Sequence, residues 1–162
     1  MSSEAALSLG ANVGDRLRNL RIAVEMMGLR VGSVISRSCV YETPPWGVES
    51  QPFFLNACVM IDTELSAKDL LEGLKSIESE IGRVPRGRWG PREIDIDILT
   101  YANLRYADDT LVIPHPRLSE RTFVLVPLRD IAPLWIHPQS GLPISDILDK
   151  MDLRGIVRIT RL

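Results

Sequence analysis

Residues 94–98 read Ile-Asp-Ile-Asp-Ile, an alternation that few folds can accommodate. As a β-strand it puts Ile94, Ile96 and Ile98 on one face and Asp95 and Asp97 on the other. Two carboxylates on one strand face, ~7 Å apart, repel by about 2 kcal/mol at an effective dielectric near ~20. The strand therefore needs an apolar layer on one side and something that neutralises negative charge on the other. Residues 53–62 repeat the design. Phe53, Leu55, Ala57, Val59 and Ile61 form the expected core face, and Phe54, Asn56, Cys58, Met60 and Asp62 the opposite one.

Helical spacing fills the gaps between the strands. Ala5 to Gly10 is a short apolar run, and Gly10 to Asp15 is a tight turn that lacks the Lys and Ser or Thr of a P-loop and the spacing of a dinucleotide fingerprint. Asp15 is placed to cap a helix over residues 16 to about 29, with Leu17, Leu20, Val24 and Met27 as its stripe. After Gly32 a β-rich stretch runs to about Glu42, and TPPWGVESQP marks a loop. Ser66 and Asp69 predict a capping box for a second helix, striped by Leu70, Leu74, Ile77 and Ile81 and stopped by Gly82. The order through Leu99 is β-α-β-β-α-β. We therefore expect an α+β fold with a ferredoxin-like βαββαβ core: helices cover one face of a mainly antiparallel sheet, and the other face is free for chemistry. Residues 100–162 read as C-terminal extensions: a short hairpin, the PHPR turn at 114–117, a helical stretch near Ser119 to Ile131, and a capped helix from about Ser145.

One domain over 1–162 is expected from the length. The net charge of -2 gives the molecule no general attraction to nucleic acid or anionic membrane, so any anion site must be local. The N-terminus lacks the pattern of a secretion signal, and no segment approaches the ~20 apolar residues of a membrane span. A cytoplasmic monomer is the default expectation. Cys39 and Cys58 form no metal or disulfide pattern and read as small buried apolar residues.

Two Asp separated by one residue on an exposed strand face make a compact hard-oxygen site for Mg²⁺, which keeps waters and borrows phosphate oxygens. The alternative is that both are solvated, or each is paired with an arginine. Arg83, Arg86, Arg88 and Arg92 lie within ten residues among glycines, so a loop can bring guanidinium forks onto phosphate oxygens. Acids for metal beside arginines for phosphate suggest a metal and triphosphate site. Glu78 lies at the flank of its helix stripe, where it can reach that site or pair with an arginine. His115 is held between Pro114 and Pro116 and could bind phosphate. Phe54 and Asn56 share the non-core face, suited to stacking and edge bonding with a planar heteroaromatic ligand, with Phe123 and Trp46 as further walls or as core residues.

These residues resemble a known family. RWGPREIDIDIL at 88–99 is similar to the signature of the 6-hydroxymethyl-7,8-dihydropterin pyrophosphokinases, which transfer pyrophosphate from ATP in folate biosynthesis. LSLGANVGDR at 7–16, YETPPWG at 41–47, FFLNACV at 53–59, IESEIGR at 77–83 and PHPRLSERTFVLVPL at 114–128 resemble family blocks in family order. The resemblance implies that Asp95 and Asp97 hold two Mg²⁺ ions on the ATP phosphates and that Arg83 and Arg92 share the catalytic work. It implies phosphate contacts from Arg83, Arg92, His115 and Arg121, with Arg86 and Trp89 on a closing loop. Lys75, Glu78 and Ile98 would lie near the nucleotide. Phe54 and Phe123 would sandwich the pterin, and Asn56, Thr43, Pro44 and Trp46, with Asp95, would bind around it. Thr110, Val112 and Pro116 stand where some members carry a basic residue, a hydroxyl residue and a Tyr. Rival readings are a nucleotidyl or sugar-nucleotide transferase using Asp-x-Asp, and a non-catalytic ferredoxin-like module that binds a small ligand.

Overall fold

The computed structural model describes residues 1–45, 50–87 and 90–162. Strand β1 (Ser3–Ala11) is the axis of the sheet, pairing antiparallel with β4 (Phe54–Thr63) on one side and β5 (Asp95–Tyr101) on the other. The β-rich stretch after Gly32 is two strands, β2 (Ser33–Arg37) and β3 (Cys39–Thr43), which pair in succession along β4. The order β5-β1-β4 followed by β2/β3 is the βαββαβ arrangement expected, and every named pairing in the main sheet is antiparallel.

Helices α1 (Arg16–Arg30) and α2 (Ala67–Ile81) cover one face. Each begins where its cap predicts. The Asp15 carboxylate accepts from the Arg18 N–H at 3.1 Å, and the Ser66 hydroxyl accepts from the Asp69 N–H at 3.1 Å. Gly82 ends α2 at φ 110, a left-handed conformation open to glycine without a Cβ clash. Leu20, Val24 and Met27 of α1 and Leu70, Leu74 and Ile77 of α2 are fully buried against Leu7, Leu9, Ala57, Val59, Ile61, Ile94 and Ile96. Period two in the strands and period 3.6 in the helices thus meet in one apolar layer.

Several expectations need correction. Phe53 does not extend the core face: it precedes β4 and is 48% exposed. The second face of the sheet is not free along its length. Helices α3 (Thr122–Ile131) and α4 (Ile144–Asp149) build a second core on it with Ala6, Cys58 and Leu99. Helix α4 starts at Ile144 after Pro143, with no side-chain cap. Cys58 is buried, whereas Cys39 is only half-buried. The hairpin is β6 (Tyr106–Ala107) with β7 (Val112–Ile113). Strand β8 (Val157–Arg161) was not expected and adds to β3 at the sheet edge.

Replacing Ser66 by Ala removes the α2 cap and is expected to lower stability by ~1 kcal/mol. Leu74→Ala, which leaves a cavity between α2 and the sheet, should cost ~2–5 kcal/mol. Urea unfolding with unchanged m-values would check both.

Candidate active site

The second face remains open where α3 begins, and there the strands present their non-core side chains to a cavity of about 430 Å³. Register places the groups in rows across the sheet. Gly10 of β1 lies opposite both Asp95 of β5 and Asn56 of β4, and Ser8 lies opposite Asp97. A Cβ at Gly10 would approach the Asn56 Oδ1 to 2.9 Å and the Phe54 ring to 3.6 Å. Glycine there keeps the floor flat between the acid end and the aromatic end.

At the acid end, Asp95 is gripped by two arginines. Arg83 Nη1 donates to its Oδ1 at 3.0 Å, and Arg92 Nη1 to its Oδ2 at 2.6 Å. Arg83 is held from behind by Glu78 at 2.6 Å. Glu78 is 2% exposed and also accepts from the Ile96 N–H at 2.9 Å, so a helix carboxylate is locked to the backbone of the Asp-bearing strand. Burial opposes the Arg83 charge, but Asp95 and Glu78 outweigh it and raise its pKa. Lys75 reaches Glu78 at 3.3 Å and lines the cavity.

Asp97 behaves differently. Burial, reinforced by the neighbouring Asp95 charge, pushes its carboxyl up to about 7. His115 moves the other way: burial first, then the charges of Arg121 and Arg117, push it down to about 4, so it is neutral at neutral pH. Its Nδ1 accepts from the Arg117 N–H at 3.2 Å, which leaves Nε2 to carry the proton. Burial lowers the pKa of Arg121, whose guanidinium carbon stands 5.7 Å from the centre of the Phe123 ring.

At the aromatic end, Phe54 and Phe123 both line the cavity, and Asn56 Nδ2 donates to the Thr43 hydroxyl at 2.6 Å. Pro44 completes that wall. The structure therefore gathers Thr43, Pro44, Phe54, Asn56, Lys75, Arg83, Arg92, Asp95, Asp97, His115, Arg121 and Phe123 into one space. The Ile98 side chain is 3% exposed and packs in the core, so it faces away from the cavity. Glu78 and Arg86 line an adjoining cavity of about 460 Å³, and Arg86 is paired with Glu93 at 2.6 Å. Trp46 and Trp89 lie outside the described residues. Ser8, Gly10 and Arg117 also line the site; the alternation Leu7, Ser8, Leu9, Gly10 would have placed the first two on the open face.

Asp95 and Asp97 are hard oxygen donors on one face, and among the described residues no third His, Cys, Asp or Glu joins them in a metal cage. Two carboxylates without a protein-only cage suit Mg²⁺, which completes its shell from water and phosphate oxygens.

A protein-family model for 7,8-dihydro-6-hydroxymethylpterin-pyrophosphokinase matches residues 6–133. The chain belongs to this family. It is an enzyme, a pyrophosphokinase of folate biosynthesis with ATP as co-substrate. It is 48% identical over 158 residues to the 2-amino-4-hydroxy-6-hydroxymethyldihydropteridine pyrophosphokinase of Methylorubrum extorquens, covering 97% of this chain and 99% of that protein. The Synechocystis protein of the same name is 37% identical over 94% of this chain and 78% of its own length. A Plasmodium falciparum HPPK-DHPS crystal structure superposes with a TM-score of 0.79 at 17% identity over 100% of this chain, a likeness of fold. This chain spans 51% of that longer one.

In the metal-free pyrophosphokinase the raised Asp97 pKa carries a defined sign. An unfolded Asp titrates near ~3.9, so the folded state holds an extra proton between that pH and about 7, and stability falls as pH rises through this window. Asp97→Asn should abolish most of that decline and stabilise the metal-free protein at pH ~8 by about 2 kcal/mol or more, a tenfold change in proton affinity being worth ~1.4 kcal/mol. Denaturant titrations at pH ~5 and ~8 would show it.

Proposed function

We propose that the cavity transfers pyrophosphate from ATP to the hydroxymethyl group of 6-hydroxymethyl-7,8-dihydropterin, with the acid end holding the nucleotide and the aromatic end the pterin. The observation that carries this reading is one cavity that runs unbroken over Gly10, with Asp95, Arg83 and Arg92 on one side and Asn56, Phe54 and Phe123 on the other.

Phe54 and Phe123 stack on the pterin, and Asn56, oriented by Thr43, bonds its edge. The pterin hydroxyl oxygen bonds to the β-phosphorus and gives up its proton to solvent as the bond from that phosphorus to the oxygen of the α-phosphate breaks, so AMP leaves with that oxygen. Asp95 and Asp97 would hold two Mg²⁺ ions. When bound, magnesium neutralises phosphate charge as a Lewis acid.

Arg83 and Arg92 occupy Asp95 before the nucleotide arrives. With Asp95 engaged by a metal ion, Arg83 and Arg92 would be available to the phosphate oxygens. Glu78 keeps Arg83 anchored through that exchange. Arg121 and the Nε2–H of neutral His115 add donors for charge developing on the phosphates. The arginine-rich segments 83–87 and 90–92 would close over the phosphates and exclude water, which would protect ATP from hydrolysis. All these groups come from one copy of the chain, so a monomer suffices; a single domain over residues 1–162 and a cytoplasmic location belong to the same proposal. Among the described residues no helix is long and apolar enough to cross a membrane.

Incubation with ATP, Mg²⁺ and the reduced pterin alcohol should yield AMP and the pterin diphosphate by mass analysis. Released pyrophosphate or nucleoside diphosphate would refute the proposal. Asp97→Ala should lower kcat by ~10²-fold or more, and Arg92→Ala should lower kcat/KM by a similar factor, with the far-UV circular dichroism of both unchanged.

A further inference from the structure

We infer that Asn12 is a positioning residue whose side chain clasps the two loops of the site together and sets the register of the pterin end against the phosphate end. It lies in the turn between β1 and α1, contacts no substrate position named above, and is 2% exposed. Its two halves point to different loops. The Oδ1 accepts from the Arg92 N–H at 2.8 Å, while the Nδ2 donates to Gln51 Oε1 and to the Pro52 carbonyl, both at 3.1 Å. Its own N–H, with that of Val13, donates to the Arg92 carbonyl at 2.9 and 3.2 Å, so the Arg92 peptide is held from both sides.

Both grips fall just upstream of a strand that carries site residues. Gln51 and Pro52 precede Phe54 and Asn56 on β4, and Arg92 precedes Asp95 and Asp97 on β5. Neighbours reinforce the joint: Arg16 donates to the Phe53 carbonyl at 2.8 Å, and Asn19 to the Glu93 carbonyl at 3.1 Å. A planar amide presents an acceptor and a donor in one fixed plane, so one side chain ties the root of the arginine loop to the root of the pterin loop. In-line transfer requires the two substrates to meet within a fraction of an ångström, and such a joint provides that alignment from outside the cavity.

The inference rests on the roles proposed above for Arg92 and for the aromatic end. Asn12→Asp separates the halves: a carboxylate still accepts from Arg92 but faces Gln51 Oε1 and the Pro52 carbonyl with no hydrogen to donate. Asn12→Ala removes both. For Asn12→Asp we expect the pterin KM to rise at least tenfold with the ATP KM within twofold. Amide exchange should accelerate at residues 51 and 53, while the Arg92 amide stays protected. Asn12→Ala should also expose the Arg92 amide and lower kcat at least tenfold. A residue that merely stabilised the turn would move both KM values together or neither, and either result in folded Asn12→Asp overturns the inference. If Asn12→Asp and Asn12→Ala fail to fold, Gln51→Met must raise the pterin KM alone, and no change there overturns it equally. Loss of turnover in Asp97→Ala and Arg92→Ala beside an unaltered Asn12→Asp would sink the clasp alone. Full turnover in those two variants would sink the site assignment instead.

Discussion

Two like charges on one face of one strand are the constraint around which this protein is organised. The structure deals with them unequally. Asp95 is neutralised by Arg83 and Arg92, and Asp97 stands half-buried, with desolvation and the Asp95 charge raising its pKa to about 7. In the proposed mechanism, an arrangement that stores one carboxylate in ion pairs and the other near its neutral form would accept a divalent cation, which would reverse the repulsion and free both arginines. Glu78 belongs to the same device although it faces away from the main cavity. A carboxylate 2% exposed is tolerated because it accepts from Arg83 and from the Ile96 backbone, and it thereby fixes the arginine that pairs with Asp95.

The fold supports this chemistry by giving each side of the sheet one task. Isoleucines and leucines on the inner face of β1, β4 and β5 pack against α1 and α2, and the side chains between them project to the opposite face. There α3 covers part of the sheet and stops, and the cavity occupies the end it leaves open, with Arg121 and Phe123 contributed from the helix start. Gly10 matters for the same geometric reason. Any side chain in its place would fill the floor between Asp95 and Asn56 and divide the cavity.

The contrast between Asp97 and His115 follows from one cause acting on opposite charges. Burial makes the neutral form cheaper for both, so Asp97 rises and His115 falls. His115 can then donate from Nε2 without adding positive charge to a region already holding Arg117 and Arg121. At the aromatic end the polar groups are the Asn56 amide and the Thr43 hydroxyl, with the Arg121 guanidinium over the edge of that end at Phe123.

The sequence by itself determined the elements and their faces, because strand and helix periods are local properties of the chain: the stripes of α1 and α2, the caps at Asp15 and Ser66, and the shared face of Asp95 and Asp97 were all legible in it. Family blocks spread along the chain also pointed to most of the residues that meet in the cavity. Sequence could not show how distant segments meet. That Glu78 locks onto the Ile96 backbone, that Asn12 grips Arg92 and Pro52, that β8 joins the edge, and that α3 closes half of the open face depend on hydrogen bonds and packing between residues far apart in the chain. Phe53 shows the limit from the other side. Phe53 continues an alternation past the point where the strand begins. Pattern assigns a residue to a face; only the folded sheet decides where a strand starts and what each face meets.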